Sequence, residues 1–552
     1  METKSTKENE NSANFLFTIG EEEIRKAAEI LSKYKSAKAK LDSRVLENER
    51  WFRLRHWEQM RSEKDKVLRH SAWLFNSIIN KHADFMDSEP ECTVLPRESS
   101  DAPEAERLTD VLPVILERNN WHSVYSDGAF QKLKTGTAVY SVLWDSESDM
   151  GLGEISVKNV DILKLFWEPG IRDIQSSKNL FLVELQDNDV LLESYPFLEG
   201  KLGGNSEETS VFTYDDSVDT SEKSAVVDWY YKKKSGKRTL VHYCKFTGST
   251  LLYASENDPE YMDRGWYDHG LYPFVFDPLF KEEGTPVGFG FIDIMKDAQE
   301  EIDLLGNEIV RNARLGARKR YFTRVEGAVN EEEFSDFDRD FIHVSGSSIG
   351  EESIREIGFT PLSGVYVTVL NNKINELKET SGNRDFAQGS TMGGVTSGTA
   401  ITALQEAGNK LSRDMISSTY NAFSQLCSIC IELIRQFYTV PRTVRITGEE
   451  GELLYRVYDN KALNALEDGG DFGLEGVLRK PVFDVKVRAH KKNVYSRAAS
   501  NADAVSFFSM GFFDPGRAKE ALACMELLDI ENKEKLKGIL KKNAESSGGA
   551  LL

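Results

Sequence analysis

From Phe291 onward, apolar residues recur at steps of three and four: Phe291, Met295, Ala298, Ile302, Leu305 and Ile309. That is the period of one stripe along an α-helix. Over 291–320 such a helix is about 45 Å long at roughly 1.5 Å per residue. The pattern returns twice. Val367, Leu370, Ile374 and Leu377 mark a second helix within 362–382. Ile401, Leu404, Leu411, Met415, Ala422, Leu426, Ile429, Leu433 and Phe437 stay in phase along a third, over 399–439, and Pro441 limits its far end. A segment with Gly327, Gly346, Gly350 and Pro361 separates the first two helices. The Gly/Ser/Thr-rich run SGNRDFAQGSTMGGVTSG, Ser381 to Gly398, separates the last two. The framework is therefore long helix, small insert, helix, flexible loop, very long helix.

The flanks read differently. Residues 1–14 are polar and lack the apolar core of a secretory signal, so they read as a flexible arm of a protein made in a cytoplasm. A helix is expected over 21–60, with Ile24, Ala28, Leu31 and Tyr34 on one side. A second, over 65–87, carries Val67, Leu68, Trp73, Leu74, Ile78 and Ile79. Between about 135 and 290 the chain changes to short β-branched and aromatic runs: GTAVYSVLWD, EISVKNV, NLFLVELQ, SAVVDWYYKKK, KRTLVHYCKF and STLLYAS. The polar stretch 203–222 is a loop or insertion among them. After 440 come strand-like RTVRITG and VFDVKVRAH, then a last helical unit over 495–545 and the tail SSGGALL.

Composition narrows the function class. The 552 residues, 40% hydrophobic and 29% charged, provide for two to four structural units with a sizeable core. No run approaches the ~18 apolar residues of a membrane span. Five cysteines are too few for a disulfide framework. Cys427 and Cys430 form a CxxC, but inside a helical segment and without a second pair, so they read as buried core thiols. With 69 Lys+Arg against 90 Asp+Glu the net charge is −21. Such a chain repels a phosphate backbone on average. DNA, as a partner, is something to slide past; acidity kept for solubility fits the same number.

The order of these elements resembles the portal proteins of tailed bacteriophages. WFRLRHWEQM with Trp57, then NSIINKHADFMDSEPECTVLPR, GTAVYSVLWD, FWEPGIRDIQSSKNLFL, LYPFVFDPLF leading into GFGFIDIMKDAQEEIDLLGNEI, and GGVTSGTAITALQEAGNKLSRD are similar to family stretches in sequence and spacing. They cover most of 50–440, and beyond 440 the likeness is architectural. The resemblance implies an α+β portal fold assembled as a ring. Its mixed α/β wing takes 15–290 and 440–495, with a long helix at 399–439. The long-helix stem takes 291–320 and 362–382, and the small α/β clip takes 321–361. A channel loop takes 383–398 and a helical crown 496–552. It also implies a homo-oligomer of twelve subunits at one capsid vertex of the virion, with thirteen open to rings closed outside it. The implied partners are the large terminase, head–tail adaptors, the major capsid and scaffold proteins, and double-stranded DNA passing without sequence specificity. No membrane and no cofactor enter.

Three groups of residues are singled out. Arg311, Arg314, Arg318, Lys319 and Arg320 put cations at the end of the first long helix. They read either as a ring touching phosphates or a neighbouring subunit, or as an ion-paired helix end. Glu331, Glu332, Glu333, Phe334 and Phe337 belong to an acidic run that either docks a basic partner or is merely solvated. Arg384, Asp385, Phe386, Gln388 and Met392 lie in the Gly-rich loop, the expected DNA-contacting loop under the family placement. That loop is no Walker A, because no GK[ST] ends it and no strand precedes it. GFGFID at 288–293 lacks the third glycine of a dinucleotide fingerprint. The eight histidines show no HExxH. No metal or catalytic residue is assigned. A phage nuclease and another oligomeric virion protein are the rival readings.

Overall fold

The computed structural model describes residues 19–57, 69–202, 222–236, 238–317, 321–323, 354–356, 360–382, 410–447, 453–464, 480–490, 505–512, 517–527 and 538–540, with 332, 514 and 536 singly. Helix and strand are mixed along the chain. First come α1 (Glu21–Phe52), α2 (Trp73–Met86), β1 (Glu89–Pro96), α3 (Ala102–Arg118), α4 (Trp121–Thr135), β2 (Thr137–Asp145), β3 (Glu154–Asn159), β4 (Leu165–Trp167) and β5 (Asn179–Asp187). Next are α5 (Asn188–Ser194), β6 (Lys223–Ser235), β7 (Arg238–Thr247), β8 (Thr250–Ala254), β9 (Phe274–Pro278), β10 (Phe280–Lys281) and β11 (Gly288–Phe289). Then follow α6 (Phe291–Ala317), β12 (Tyr321–Thr323), β13 (Ile354–Glu356), α7 (Val365–Ser381) and α8 (Lys410–Phe437). Last are β14 (Arg442–Thr447), β15 (Leu453–Tyr458), β16 (Phe483–His490) and α9 (Ala518–Leu527).

The chain divides into two compact units. The larger combines 1–49, 79–290 and 410–552; the smaller combines 50–78 and 291–409. In the larger unit an antiparallel five-stranded sheet, β4-β5-β6-β7-β8, is a meander of consecutive strands. Its strand residues alternate inward, and α1 covers that face. Ile24, Ala27, Leu31 and Tyr34 pack with Phe166, Phe181, Val227, Trp229 and Phe246 into one core. The helical period selects Ala27 as the buried alanine, while Ala28 is half-buried, which corrects the expected stripe by one position.

A second antiparallel sheet, β3-β2-β9, takes α4 and α8 against it. Its central strand is buried along most of its length. Gly128 of α4 stands where any Cβ would overlap the Tyr140 ring of β2, so only glycine permits this helix–sheet distance. The GFG of 288–290 has a similar cause. A Cβ on Gly290 would stand 2.7 Å from the Leu133 carbonyl oxygen and 2.9 Å from the Gly136 nitrogen. These glycines serve backbone packing.

Several boundaries differ from expectation. The helix expected over 21–60 stops at Phe52. Leu54 adopts φ 58°, Arg55 N donates to Arg50 O (2.8 Å) and Leu54 N to Trp51 O (3.1 Å). That pair of bonds is a Schellman closure, with leucine in the left-handed position glycine usually fills. The helix expected over 65–87 starts at Trp73, and residues 65–68 lie outside the described residues. The β-branched and aromatic runs between 135 and 290 all form strands, whereas the loop 203–222 lies outside the described residues except for Glu222. The sequence pattern does not mark helices α3 and α4 or strand β15.

Candidate functional site

In the smaller unit α6 and α7 form an antiparallel pair. Lys373 Nζ meets Glu301 Oε2 at 2.7 Å, and toward the other end Leu362 N donates to Asn312 Oδ1 at 3.2 Å. Beyond them β12 and β13 pair antiparallel, Tyr321 opposite Glu356. So the described parts of 321–361 include a short two-stranded ribbon. The first two turns of α7 are apolar and open: Val365, Val367 and Val369 are 64%, 49% and 39% exposed. On α6, Leu304 and Val310 are exposed as well.

The buried face of α6 is not purely apolar. Phe291, Met295 and Ile302 are buried on it, but so are Gln299 and Asp303, while Ala298, Leu305 and Ile309 are only half-buried. Buried polar groups must find partners, and the segment after α1 supplies them. Asp303 Oδ1 accepts from Ser71 N and Ser71 Oγ, each at 2.8 Å, and from Gln299 Nε2 at 2.9 Å. Its Oδ2 lies 3.1 Å from His56 Nε2 and 3.4 Å from Trp57 Nε1. Gln299 Oε1 accepts from Leu74 N at 2.9 Å. Burial pushes the Asp303 carboxyl up, but donors from His56, Ser71 and Trp57 outweigh it and hold the group below the ordinary aspartate range. An ionised carboxylate only accepts, so His56 carries its hydrogen on Nε2. Trp51 stacks on the same imidazole at 3.9 Å and 6°. Nothing in the spacing of His56 or Trp57 signals this role. A Gln–Asp pair at i, i+4 inside an apolar stripe was the available clue.

Of the expected basic cluster, Arg311 and Arg314 are exposed on the last turns of α6, and Arg311 Nη1 stands 3.4 Å from Glu308 Oε1. Arg318, Lys319 and Arg320 lie outside the described residues. So do Arg384, Asp385, Phe386, Gln388 and Met392, and Glu331, Glu333, Phe334 and Phe337; Glu332 is exposed.

In the larger unit, α8 is fixed by a buried ion pair. Lys132 Nζ lies 2.7 Å from Asp277 Oδ1 and donates to Ser418 Oγ and Thr419 Oγ1, each at 2.7 Å, and to Met415 O at 3.1 Å. Thr419 Oγ1 donates onward to Asp277 Oδ2 at 2.7 Å. Burial lowers the Lys132 ammonium's pKa and the Asp277 carboxylate partly restores it. The arrangement joins α4, β9 and α8 and leaves no open chemistry around the amine. Cys427 and Cys430 of α8 are buried, and burial pushes both thiols well up, so they are inert core groups as their sequence setting implied. No helix among the described residues is long and apolar enough to cross a membrane.

The family model described as phage P22-like portal protein matches residues 58–548. A comparison with curated proteins finds no match.

Proposed function

The chain belongs to the phage P22-like portal protein family, and from that membership we propose that it works as the ring subunit of a DNA conduit at one capsid vertex. The family match across 58–548 carries this reading. Portal proteins are structural; the energy for moving DNA comes from a partner. Twelve copies close the ring, which serves as the docking site for the large terminase during filling and for head–tail adaptors afterwards. Capsid and scaffold proteins surround it.

The exposed valines of α7 support assembly through this helix pair. Apolar side chains left open in a single chain mark an interaction surface. A head-to-tail contact of one such surface with a different one on the next copy generates a ring when the rotation closes. In this reading 291–320 and 362–382 are the stem, 321–361 the clip, and 15–290 with 399–495 the wing. The loop 383–398 meets the passing duplex, and 496–552 is the crown. The net charge of −21 keeps the duplex from sticking, because like charges lower residence on the wall. Arg311 and Arg314, exposed at the end of α6, offer local phosphate or subunit contacts.

Negative-stain electron microscopy with mass photometry of the purified chain tests this. Rings with a central hole and a mass near twelve or thirteen subunits are expected. A channel-free assembly, or metal-dependent DNA cleavage by the pure protein, overturns it.

A further inference from the structure

A second feature of the larger unit has no part in the channel reading. A solvent-open cavity of about 330 Å³ lies between α1 and the segments around 167–170 and 282–287. Its walls include the aromatic Tyr34 and Trp167 and the apolar Val287, all buried. Its polar lining is predominantly cationic: Lys38, Lys40 and Arg44 against Glu282. That sign runs against the −21 of the whole chain.

The three cations are not equivalent. Lys38 is spent within the fold: its Nζ pairs with buried Asp42 at 2.8 Å, donates to Ile162 O at 2.5 Å and sits 4.5 Å over the Phe166 ring. Arg44 is held but not used up. Its Nη2 donates to Gly288 O at 2.8 Å and its Nη1 meets exposed Glu282 at 3.2 Å. Each of those nitrogens keeps a second N–H on a side chain that is part-exposed, whereas the buried Nε, without a hydrogen-bond partner, is closed to a ligand. A guanidinium fixed in this way presents a donor that loses little further freedom when it captures a carboxylate. Lys40 is exposed on the same helix and adds a second cation at the rim.

We propose that this pocket docks an acidic peptide segment of a partner protein, one carboxylate side chain meeting Arg44 and Lys40 and a flanking apolar side chain lying against Trp167. Several features favour a peptide. The volume is at the small end of ligand sites, which suits one or two side chains. Half of the wall is aromatic or aliphatic, which matches a mixed acidic–apolar segment. A nucleic-acid strand would need a longer cationic track, and the acidic balance of the chain opposes it.

The test uses the full-length chain and a fluorescent, end-capped peptide of alternating Glu and Phe, with its Lys-for-Glu counterpart as control, read by anisotropy. The acidic peptide is expected to bind, its affinity falling with salt, and the Lys peptide is not. Lys40→Glu, at an exposed position, and Ala37→Trp, which fills the cavity mouth from exposed Ala37, are each expected to weaken binding by about tenfold or more. Circular dichroism of both variants should be unchanged. Equal binding of the two peptides, no binding at millimolar peptide, or unaltered affinity in both variants overturns the proposal. So does displacement of the bound peptide by a short single-stranded oligonucleotide, which would make this a phosphate site. None of these outcomes bears on ring formation, so failure here leaves the portal reading standing.

Discussion

Asp303 Oδ2 lies 3.1 Å from His56 Nε2, joining the middle of α6 to a residue 247 positions earlier in the chain. The contact explains two local oddities together. It gives a buried carboxylate on an otherwise apolar helix face its partners, and it gives the abrupt end of α1 at Phe52 a purpose. The left-handed turn at Leu54 brings His56 and Trp57 back to α6, where a continued helix would carry them away.

Asp303→Asn keeps the shape but removes the charge that five donors from four residues point at. A loss of about 2–3 kcal/mol of stability is expected, read as a lower melting temperature of the full chain. An unchanged melting temperature would show that the cluster contributes nothing net.

The same carboxylate sets a pH dependence. Its folded pKa is held below the unfolded value, about 3.9, so its contribution is fully present above that pH. It fades as pH falls through the lower folded value. The gap in stability between the native chain and Asp303→Asn should therefore be constant from neutral pH to about 5 and narrow below about 4. A gap that widens on acidification contradicts the assignment.

Lys132→Met leaves Asp277 buried without its ammonium. The single change should cost about 3–5 kcal/mol, whereas adding Asp277→Leu should recover much of it, because an apolar pair replaces an ion pair nearly neutrally. Strictly additive losses in a double-mutant cycle would show that the two groups do not act as a unit.

Gly128→Ala places a methyl group in the Tyr140 ring. Overpacking of this kind costs about 1–3 kcal/mol. Tyr140→Phe in that background should return part of the loss, since the hydroxyl oxygen is the nearest atom met. Thermal unfolding of the two variants decides it.

Val367→Glu changes an exposed residue and should leave the helix content of the subunit intact. Placed on the open apolar end of α7, it should lower the yield of closed rings several-fold in mass photometry. Full ring yield would move the subunit contact elsewhere.

What could be read in the linear order of residues is the class of each long element. The three- and four-residue recurrence in 291–320, 362–382 and 399–439 depends only on which side chains repeat. It gave α6, α7 and α8 to within a few residues wherever they are described. The β-branched and aromatic runs between 135 and 290, broken by turn residues, gave the strands for a similar reason: those residue types suit a pleated, packed surface whichever strand lies alongside. The order of those elements carried the family likeness, and the setting of Cys427 and Cys430 inside an apolar helix carried their burial.

Tertiary structure alone decided which groups meet. Periodicity places Gln299 one turn before Asp303 on the same helix, but it cannot say that His56, Trp57 and Ser71 converge on that carboxylate, because His56 and Trp57 follow a turn with no glycine to announce it. Likewise Lys132 looks like any surface lysine of a short helix. Only the packing of α4, β9 and α8 removes its water and supplies Asp277, Ser418 and Thr419 in its place. A period records what one element repeats along itself. A site is made where several elements cross, and that information is carried by contacts far apart in the chain.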